Sequence, residues 1–402
     1  MTKQLQDAYV VAATRTPIGK APRGMFKNVR PDDLLVRVIC SALAQAPNLD
    51  PATIEDAVVG CAFPEGEQGL NMARMAVLLA GLPKTVGGAT VNRYCASGLS
   101  AIAIAADRIR VGEADVMIAA GAESMSRVPM MGHWPSLNPD VVKDENVGMA
   151  YGMGLTAEKV AVQWKVSRAA QDQFAMDSHR KALKGQQSGE FSDETTPVEV
   201  TEKFPNLGSG AIETKTRTAD RDEGPRSDTS LESLARLKPV FAAPRGQFGT
   251  VTAGNSSQMS DGAGALILVS EKILKQFDLT PLARFVSFAV RGVPPEIMGI
   301  GPKFAIPAAL AAAGLAQDQI DWIELNEAFA AQALAVIGDL QLDASKVNPL
   351  GGAIALGHPL GATGAIRSAT VVHALRRRNL KYGMVTMCVG TGMGAAGIFE
   401  RV

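Results

Sequence analysis

The sequence predicts an α/β protein with helices on both faces of its sheets, built from two similar halves and an insert. Short apolar segments that are typical of buried strands alternate with longer helical patterns. The same order of segments occurs at the start of the chain and again in its last third. A long charged stretch interrupts the first copy before its last strand. Such alternation is typical of parallel or mixed sheets that are covered by helices.

The elements of the two copies correspond one by one. A buried strand at 9–13 matches one at 283–288, and a helix follows each of them, over residues 31–46 and 304–315. A second strand follows at 54–63 and at 320–329, and then a helix at 71–82 and at 330–340. Next come a short strand that ends at Asn92 or at Asn348 and a further buried strand at 114–121 or at 382–390. Matching elements in the same order indicate an internal duplication.

The last strand of each copy places the insert. In the second copy, residues 394–399 follow the preceding strand at once, whereas their counterpart at 262–267 comes only after a long detour. The detour is rich in charged and turn residues, which indicates a partly irregular segment. The predicted division has three parts, namely an N-terminal half (1–121 and 251–272), an inserted loop domain (122–250) and a C-terminal half (273–402).

The bulk composition excludes several classes of protein. The chain has 402 residues, 47% of them hydrophobic, and no net charge, so neither nucleic acid nor an acidic membrane surface is an expected partner. No apolar segment is long enough for membrane insertion, and the first residues contain no apolar signal segment. The four cysteines are widely spaced, which gives neither a disulfide framework nor paired metal ligands. We expect a cytoplasmic protein with reduced thiols and no metal.

Cys95 is a candidate nucleophile. It lies between the strand that ends at Asn92 and the following helix, where backbone amides and the helix dipole can stabilise a thiolate and lower its pKa. The small residues 96–98 leave room for a substrate above the sulfur. The alternative is a small core cysteine at a strand–helix junction. Cys40 and Cys61 have apolar neighbours, and for them we expect a position in the core.

His358 is a candidate base because it stands between Gly357 and Pro359. Proline fixes the backbone and glycine permits an unusual one, which predicts a rigid turn. An imidazole held in this way can deprotonate a thiol or donate a hydrogen bond to an oxyanion. The alternative is a histidine in a surface turn. Three histidines lack such neighbours and are expected to be structural or solvated, namely His133, His179 and His373.

Cys388, Asn326 and Gly390 complete the candidate set. Cys388 ends a buried strand and opens the glycine-rich segment 390–394, whose backbone N–H groups can bind an oxyanion. Asn326 ends a strand whose counterpart in the first copy carries Gly60-Cys61. Because a buried amide needs hydrogen-bond partners, this difference indicates a function rather than packing. Two thiols and an imidazole form a set that suits acyl transfer on thioesters.

Four motifs resemble those of the thiolase family, over essentially the whole chain. In the family's order they are Val-Asn-Arg-Tyr-Cys-Ala-Ser-Gly-Leu at 91–99, Asn-Glu-Ala-Phe-Ala at 326–330, Gly-His-Pro at 357–359 and Cys-Val-Gly at 388–390. The resemblance implies the thiolase fold, in which two duplicated halves form five αβαβα layers and carry an inserted loop domain.

The resemblance also implies a role for each candidate. Cys95 would be the acylated nucleophile, and Cys388 would be the acid/base that handles the proton of acetyl-CoA. His358 would activate Cys95 and, with a water held by Asn326, bind the thioester oxygen of the leaving enolate. The amides of Cys95 and Gly390 would form a second oxyanion hole. The implied reaction cleaves a 3-ketoacyl-CoA with coenzyme A as co-substrate, and it needs no permanently bound cofactor.

Further residues match the family's positions around coenzyme A and the thioester. Arg226 would meet the nucleotide part, whereas Met153 and Met298 would flank the reacting thioester. The loop domain would therefore carry much of the coenzyme A site. Ser233, Phe241 and Ser257 would line the path of the pantetheine arm, and Phe329 is a further residue expected to bind the substrate or coenzyme A.

The sequence departs from many thiolases at Thr391, where they have glycine. The C-terminal residues 398–402 resemble the branch that degrades fatty acids by β-oxidation, and we favour that branch. The alternatives are an acetyl-CoA acetyltransferase that forms acetoacetyl-CoA, a thiolase for dicarboxylic substrates such as 3-oxoadipyl-CoA, and a non-catalytic lipid- or CoA-binding protein. The resemblance further implies a homodimer or homotetramer, and in this branch an association with a hydratase/dehydrogenase subunit.

Overall fold

The computed structural model describes residues 5–241 and 249–402. The first part of the chain forms strands β1 (Tyr9–Arg15), β2 (Gly19–Lys20), β3 (Asp56–Gly60), β4 (Ala89–Val91) and β5 (Val116–Ser124), with helices α1 (Pro31–Gln45), α2 (Met72–Leu79) and α3 (Ser97–Arg110). Helix α1 shows why the sequence folds in this way. Pro31 occupies its first position, two aspartates lie in its first turn, and its buried residues recur at helical spacing.

The middle of the chain leaves the sheet after β5. It forms helices α4 (Met153–Gln163) and α5 (Arg168–Gln187), a hairpin of β6 (Val198–Pro205) and β7 (Ile212–Ala219), and the short helix α6 (Leu231–Ala235). The last part adds β8 (Ser260–Val269), α7 (Glu271–Gln276), β9 (Ala283–Gly292), α8 (Gly301–Ala313), β10 (Trp322–Leu325), α9 (Ala330–Leu340), α10 (Ala353–Leu356), α11 (Thr363–Arg377), β11 (Tyr382–Val389) and β12 (Met393–Glu400).

The strands of the two halves follow the same spatial order. The first half runs β1-β8-β5-β3-β4 and the second runs β9-β12-β11-β10, and β2 pairs with β8. In both halves the pairs that correspond are parallel (β3 with β5, β10 with β11) or antiparallel (β5 with β8, β11 with β12). The halves join where β1 pairs with β9, through Tyr9 with Arg284 and Val10 with Ala283. This repetition agrees with the predicted duplication.

Three large apolar clusters separate the layers. The central one contains residues of α3 and α11 together with inward side chains of both half-sheets. A second cluster lies between α1, α2 and the first half-sheet, and a third lies between α8, α9 and the second. The order is therefore helix, sheet, helix, sheet, helix, which is the predicted five-layer arrangement.

Glycines allow α3 and α11 to meet at backbone distance. A Cβ added to Gly364 would lie 2.1 Å from the backbone nitrogen of Leu99, and one added to Gly98 would lie 2.7 Å from that of Ala365. Neither contact can accommodate a side chain, because the obstructing atoms belong to backbone. The first turns of these helices follow Cys95 and His358, so the close contact brings the two candidate residues to the same region.

Two features of the insert concern the predicted boundaries. β5 continues to Ser124 and β8 begins at Ser260, so the chain leaves the sheet after residue 124 and returns to it at residue 260. Arg15 of β1 is buried and pairs with Glu194 and Asp222 of the insert, at 2.6 and 2.7 Å, which fixes the insert to the first half. Residues 242–248 of the predicted loop domain lie outside the described residues. The division at 122 and 250 stays a prediction.

The structure corrects two details of the sequence reading. Cys40 is exposed on α1 and not in the core, because it falls on the solvent side of the helix, whereas Cys61 is buried as expected. Val347 forms one isolated parallel bridge with Ile323 instead of the predicted strand. Among residues 5–241 and 249–402, no helix has both the length and the apolar character needed to cross a membrane.

Candidate active site

Cys95 lies in the short turn Tyr94–Ala96 that connects β4 to α3. We call residues 92–96 the nucleophile loop. The side chain of Asn92 fixes the start of the loop, because its Nδ2 donates to the carbonyl of Ala62 at 2.9 Å and its Oδ1 accepts the N–H of Tyr94 at 2.8 Å. Tyr94 adopts a left-handed φ of 44°, which turns the chain sharply before the cysteine.

Cys95 is partly buried, and its surroundings change the pKa of its thiol in opposite directions. Burial raises its pKa to about 11, while the backbone N–H groups of Gly390 and of Cys95 itself oppose that rise. The carboxylate of Glu123 adds a further, smaller rise. The sequence predicted a lowered pKa because the amides are visible in the motif and the burial is not. The resting nucleophile is therefore a neutral thiol.

Cys388 supplies a second thiol at the same place. It is fully buried near the end of β11. Burial raises the pKa of its thiol, and the proximity of Cys95 raises it further because two adjacent thiolates would repel each other. The structure thus brings together the two cysteines that the sequence selected. Because two thiolates repel each other, the first ionisation of this pair is easier than the second.

His358 is held in a turn that only glycine permits. We call residues 357–362 the histidine loop. Gly357 has a φ of 105°, and a Cβ at this position would lie 2.5 Å from Oγ of Ser260. That hydroxyl accepts the backbone N–H of His358 at 3.1 Å. The histidine is 4% exposed. The predicted rigid turn is present, and the alternative of a surface histidine is wrong.

The ring of His358 contacts Asn326 and Thr363. Nε2 lies 3.3 Å from Nδ2 of Asn326, and Nδ1 lies 2.6 Å from Oγ1 of Thr363. With the asparagine amide donating, Nε2 is an acceptor and Nδ1 carries the proton. Burial and the positive charge of Arg367 lower the imidazole pKa to about 3, so the ring is neutral. Within the described part of the chain, Oδ1 of Asn326 is buried without a hydrogen-bond partner.

Gly390 occupies the tight turn between β11 and β12. Its backbone N–H points to the thiol of Cys95, as expected for an oxyanion-hole amide. Thr391 follows with a left-handed φ of 64°, and its hydroxyl donates to the carbonyl of Gly390 at 2.6 Å. A β-branched residue in this conformation is strained, which is typical of backbone near functional sites. Gly392 completes the turn with a φ of 89°.

An apolar cluster surrounds Cys388. Met298 and Phe329 are buried in it, and Met153 and Phe241 pack against it from the insert. The rings of Phe241 and Phe329 meet edge to face, with 6.4 Å between centroids. The structure thus places four of the predicted substrate-binding residues beside one of the two thiols.

Comparison with known proteins identifies the family. The model of the N-terminal thiolase domain matches residues 8–272, and that of the C-terminal thiolase domain matches residues 279–401. The chain belongs to the thiolase family. The predicted family, fold and acyltransferase class are therefore confirmed.

Three relatives describe the similarity in more detail. A Bacillus subtilis protein named 3-ketoacyl-CoA thiolase is 50% identical over 98% of this chain and 100% of its own length. The structure of a Bacillus anthracis acetyl-CoA acetyltransferase superimposes with a TM-score of 0.88 at 38% identity, and all of both chains are covered. That of human mitochondrial 3-ketoacyl-CoA thiolase in complex with CoA has a TM-score of 0.86 at 38% identity, and covers 99% of this chain and 98% of its own.

A separate cavity in this thiolase lies toward the insert. It has a volume of about 350 Å³ and is lined by Arg226, Ser233 and His179, among others. Gln258 also lines it and accepts the N–H of His358 through its carbonyl at 3.4 Å, so the cavity reaches the histidine loop. Arg226 is paired with Asp228 at 2.9 Å and largely exposed.

Ser257 is not among the residues that line this cavity. Its backbone N–H donates to the carbonyl of Ala328 at 2.9 Å, which places it beside Phe329 and the apolar cluster around Cys388. Of the three residues expected along the pantetheine path, Ser233 therefore lies at the cavity, whereas Ser257 and Phe241 lie beside the apolar cluster.

The sequence reading missed three residues that support the thiolase site. Thr363 contacts Nδ1 of His358. Glu327 is buried and accepts hydrogen bonds from the side chains of Ser178 and Asn348, at 2.6 and 2.8 Å. Glu123, in a fully buried strand, accepts several backbone amides. A carboxylate inside an apolar strand is the signal that could have identified Glu123.

Proposed function

We propose that this chain is a degradative 3-ketoacyl-CoA thiolase, which converts a 3-ketoacyl-CoA and coenzyme A into acetyl-CoA and a shortened acyl-CoA. The observation that carries the proposal is the pair of thiols, Cys95 and Cys388, with the N–H of Gly390 pointing at the first. A simple hydrolase or a binding protein has no need of two adjacent thiols whose ionisations oppose each other. The name of the Bacillus subtilis relative supports the choice of substrate.

The first half of the reaction breaks the bond between C2 and C3. The thiol of Cys95 transfers its proton to Nε2 of His358, which is an acceptor in the resting site, and the sulfur attacks the C3 carbonyl. The amides of Cys95 and Gly390 stabilise the oxyanion. Cleavage leaves an acyl group on Cys95 and the enolate of acetyl-CoA, and Cys388 protonates the enolate carbon.

The second half releases the acyl group. The thiol of coenzyme A gives its proton to the thiolate left on Cys388 and attacks the acyl carbonyl at Cys95. The same two amides stabilise the second oxyanion, and collapse expels Cys95 as a thiolate. That thiolate takes back the proton held by His358, and the resting state returns with two neutral thiols. Burial favours this neutral state for both cysteines.

Coenzyme A is proposed to lie in the cavity near Arg226 and Ser233, with its thiol end directed to the cluster around Cys388. A volume of about 350 Å³ is at the lower end of the range of ligand pockets, which fits part of the cofactor. Arg226 is largely exposed and offers a positive charge for a phosphate. The human relative, whose structure contains CoA, supports this use of the fold.

A homo-oligomer is proposed from the open edge of the first half-sheet. β4 ends the sheet and pairs only with β3 among the strands described. Next to it Leu70 is 91% exposed, and α2 presents Met75, Leu78 and Leu79 to solvent. An unprotected edge beside apolar side chains is a typical interface. Sedimentation of the full chain tests this proposal, and a monomer at micromolar concentration would contradict it.

The location and partners of the enzyme remain proposals of the same kind. We propose a cytoplasmic location, which the Bacillus subtilis relative supports. Co-purification of the chain with a hydratase/dehydrogenase subunit from its own cells tests the proposed association, and its absence from the purified complex would contradict it.

The test of the proposed function is cleavage of 3-ketoacyl-CoA substrates of four to sixteen carbons, with 3-oxoadipyl-CoA included. Coenzyme A is the second substrate, and loss of the enolate absorbance is the readout. Activity on long chains supports the proposal. Activity confined to acetoacetyl-CoA or to 3-oxoadipyl-CoA would replace it with one of the two alternative thiolases, and no cleavage of any substrate would contradict it. Cys40→Ala, at the exposed cysteine, is the matched control for the loss expected in Cys95→Ala.

A further inference from the structure

Glu123 is a buried carboxylate whose neighbours are all hydrogen-bond donors. It is 1% exposed. Oε2 accepts the N–H of Ala62 at 2.7 Å and that of Gly361 at 2.9 Å. Oε1 accepts Nε2 of Gln68 at 2.7 Å and the N–H of Phe63 at 3.3 Å. Burial raises the pKa of this carboxyl group, and the four hydrogen bonds that it accepts oppose that rise and favour the anion.

The bonds of Glu123 reach both loops of the active site. Ala62 supports the nucleophile loop, because its carbonyl accepts the side chain of Asn92. Gly361 lies in the histidine loop, and a Cβ at this position would come within 2.7 Å of Oε2. The first loop belongs to the N-terminal half and the second to the C-terminal half. One carboxylate therefore ties together the two halves at the place where the thiol and the imidazole meet.

The charge of Glu123 also acts on the nucleophile. The titratable groups that face it are Cys61, whose sulfur lies 3.8 Å from Oε1, and Cys95. On its other side Cys95 faces Cys388, and the charged group that faces His358 is Arg367. The negative charge of Glu123 raises the pKa of both Cys61 and Cys95, in the same direction as burial.

We propose that Glu123 is a positioning residue for the reaction proposed above. It holds the nucleophile loop and the histidine loop in a fixed position relative to each other, and it disfavours a negative charge on Cys95 until substrate is bound. The inference rests on the proposed function. A resting thiol is inert toward electrophiles and oxidants, since the thiolate is the reactive form. The acylated form of Cys95 carries no charge, so Glu123 also favours acylation over a free thiolate.

Two substitutions test separately the charge of Glu123 and the length of its side chain. Glu123→Gln removes the charge and keeps the length, whereas Glu123→Asp keeps the charge and withdraws the carboxylate. Glu158→Gln is the matched control, because Glu158 is equally buried and accepts the backbone N–H groups of Thr250 and Val251, and among the described residues no hydrogen bond joins it to the nucleophile loop or the histidine loop. The primary readout is the rate of alkylation of Cys95 by iodoacetamide as a function of pH, measured by peptide mass spectrometry.

We expect the alkylation midpoint of Cys95 to fall in Glu123→Gln, because one of the influences that raise the pKa of the thiol is removed. It should stay near the wild-type value in Glu123→Asp and in Glu158→Gln. In both Glu123 variants kcat should fall about tenfold or more with a smaller change in KM, because the two loops lose their fixed relative position. Unchanged midpoints in all variants, or equal shifts in the two Glu123 variants, would overturn the inference.

The wild-type protein provides a second measurement in case Glu123→Gln does not fold. Its Cys95 should be alkylated with a midpoint above that of an ordinary thiol, about 8.5. A midpoint at or below that value would overturn the electrostatic part without any variant. Alkylation requires no turnover, so failure of the proposed function, seen as no cleavage by the wild type, is distinguishable from failure of this inference.

Discussion

The amide of Asn326 contacts the imidazole of His358, with 3.3 Å between Nδ2 and Nε2, although the two residues are 32 positions apart in the chain. The backbone N–H of Asn326 in turn donates to the carbonyl of Thr386 at 2.9 Å, two residues before Cys388. The asparagine therefore links the histidine loop to the strand that carries the second thiol. Burial and the charge of Arg367 keep the imidazole uncharged, and the neutral amide of Asn326 does not oppose them.

Asn326→Asp should place a carboxylate beside Nε2 and raise the pKa of His358 from about 3 toward its ordinary range, because a negative neighbour stabilises imidazolium. A protonated ring cannot accept the proton of Cys95. We expect kcat to fall about tenfold or more at neutral pH and to recover partly as the pH is raised. The measurement is the pH dependence of kcat, with Thr363→Val as a control that removes a partner without adding charge. Profiles of the same shape in wild type and Asn326→Asp would contradict this assignment.

Cys388→Ala should leave acylation of Cys95 possible and impair the formation and cleavage of the carbon–carbon bond. The variant retains Cys95 and its two amides, so Cys95 should still be acylated by a simple thioester. Formation or cleavage of the carbon–carbon bond should fall about a hundredfold or more, since no group remains to move the proton on carbon. The two rates are measured by intact mass and by enolate absorbance. Loss of both rates to the same extent would rule out a specific proton role for Cys388.

The glycines between α3 and α11 should be intolerant of substitution. Gly364→Ala places a methyl group 2.1 Å from the backbone nitrogen of Leu99, and we expect a loss of about 2 kcal/mol of stability because two helices must separate. Gly338→Ala, on the exposed side of α9 with nothing within 4 Å of the added Cβ, should instead stabilise by up to about 1 kcal/mol. Denaturant titration measures both. Equal effects would show that the close contact is not required.

His179 should make the protein sensitive to acid. Its Nδ1 accepts the N–H of Arg226 at 3.2 Å, and burial, with the charges of Arg226 and Lys20, lowers its pKa to about 4. Below about pH 6.5 the unfolded chain binds a proton that the folded chain does not bind until about pH 4. Stability therefore falls as the pH is lowered through that window.

His179→Asn keeps an acceptor at this position and removes the titration. The variant should lose less stability between pH 7 and pH 4, by up to about 3 kcal/mol, when denaturation midpoints are compared. The exposed His133 supplies the control, His133→Asn, whose curve should parallel that of the wild type. Parallel curves for His179→Asn and wild type would contradict the buried neutral state.

Periodicity and residue type were sufficient for most of the fold. The helix predicted at 330–340 is α9, and the strand predicted at 382–390 differs from β11 by one residue. The signal fails where an element depends on a partner rather than on its own pattern. The segment before Asn348 has the apolar residues of a strand, but it forms one bridge to Ile323. Pairing of this kind is a tertiary property, and the local pattern carries little of it.

The candidate site divides in the same way. Glycine and proline around His358 predicted an unusual turn, and the structure contains it with a φ of 105° at Gly357. The environment of Cys95 could not be read from its neighbours in sequence. Helix amides next to a cysteine predict a lowered pKa, but the burial that outweighs them comes from other parts of the chain, and so does the charge of Glu123. Long-range contacts decide the electrostatics, and local motifs decide the backbone.

The most direct test of the central claim is to locate the acyl group on the enzyme. The protein is mixed with a 3-ketoacyl-CoA in the absence of free coenzyme A, quenched with acid and mapped by peptide mass spectrometry. The account predicts one acyl group, on the peptide that contains Cys95, and none in Cys95→Ala with its fold intact by circular dichroism. An acyl group on Cys388 or Cys61, or near-normal turnover by Cys95→Ala, would contradict it.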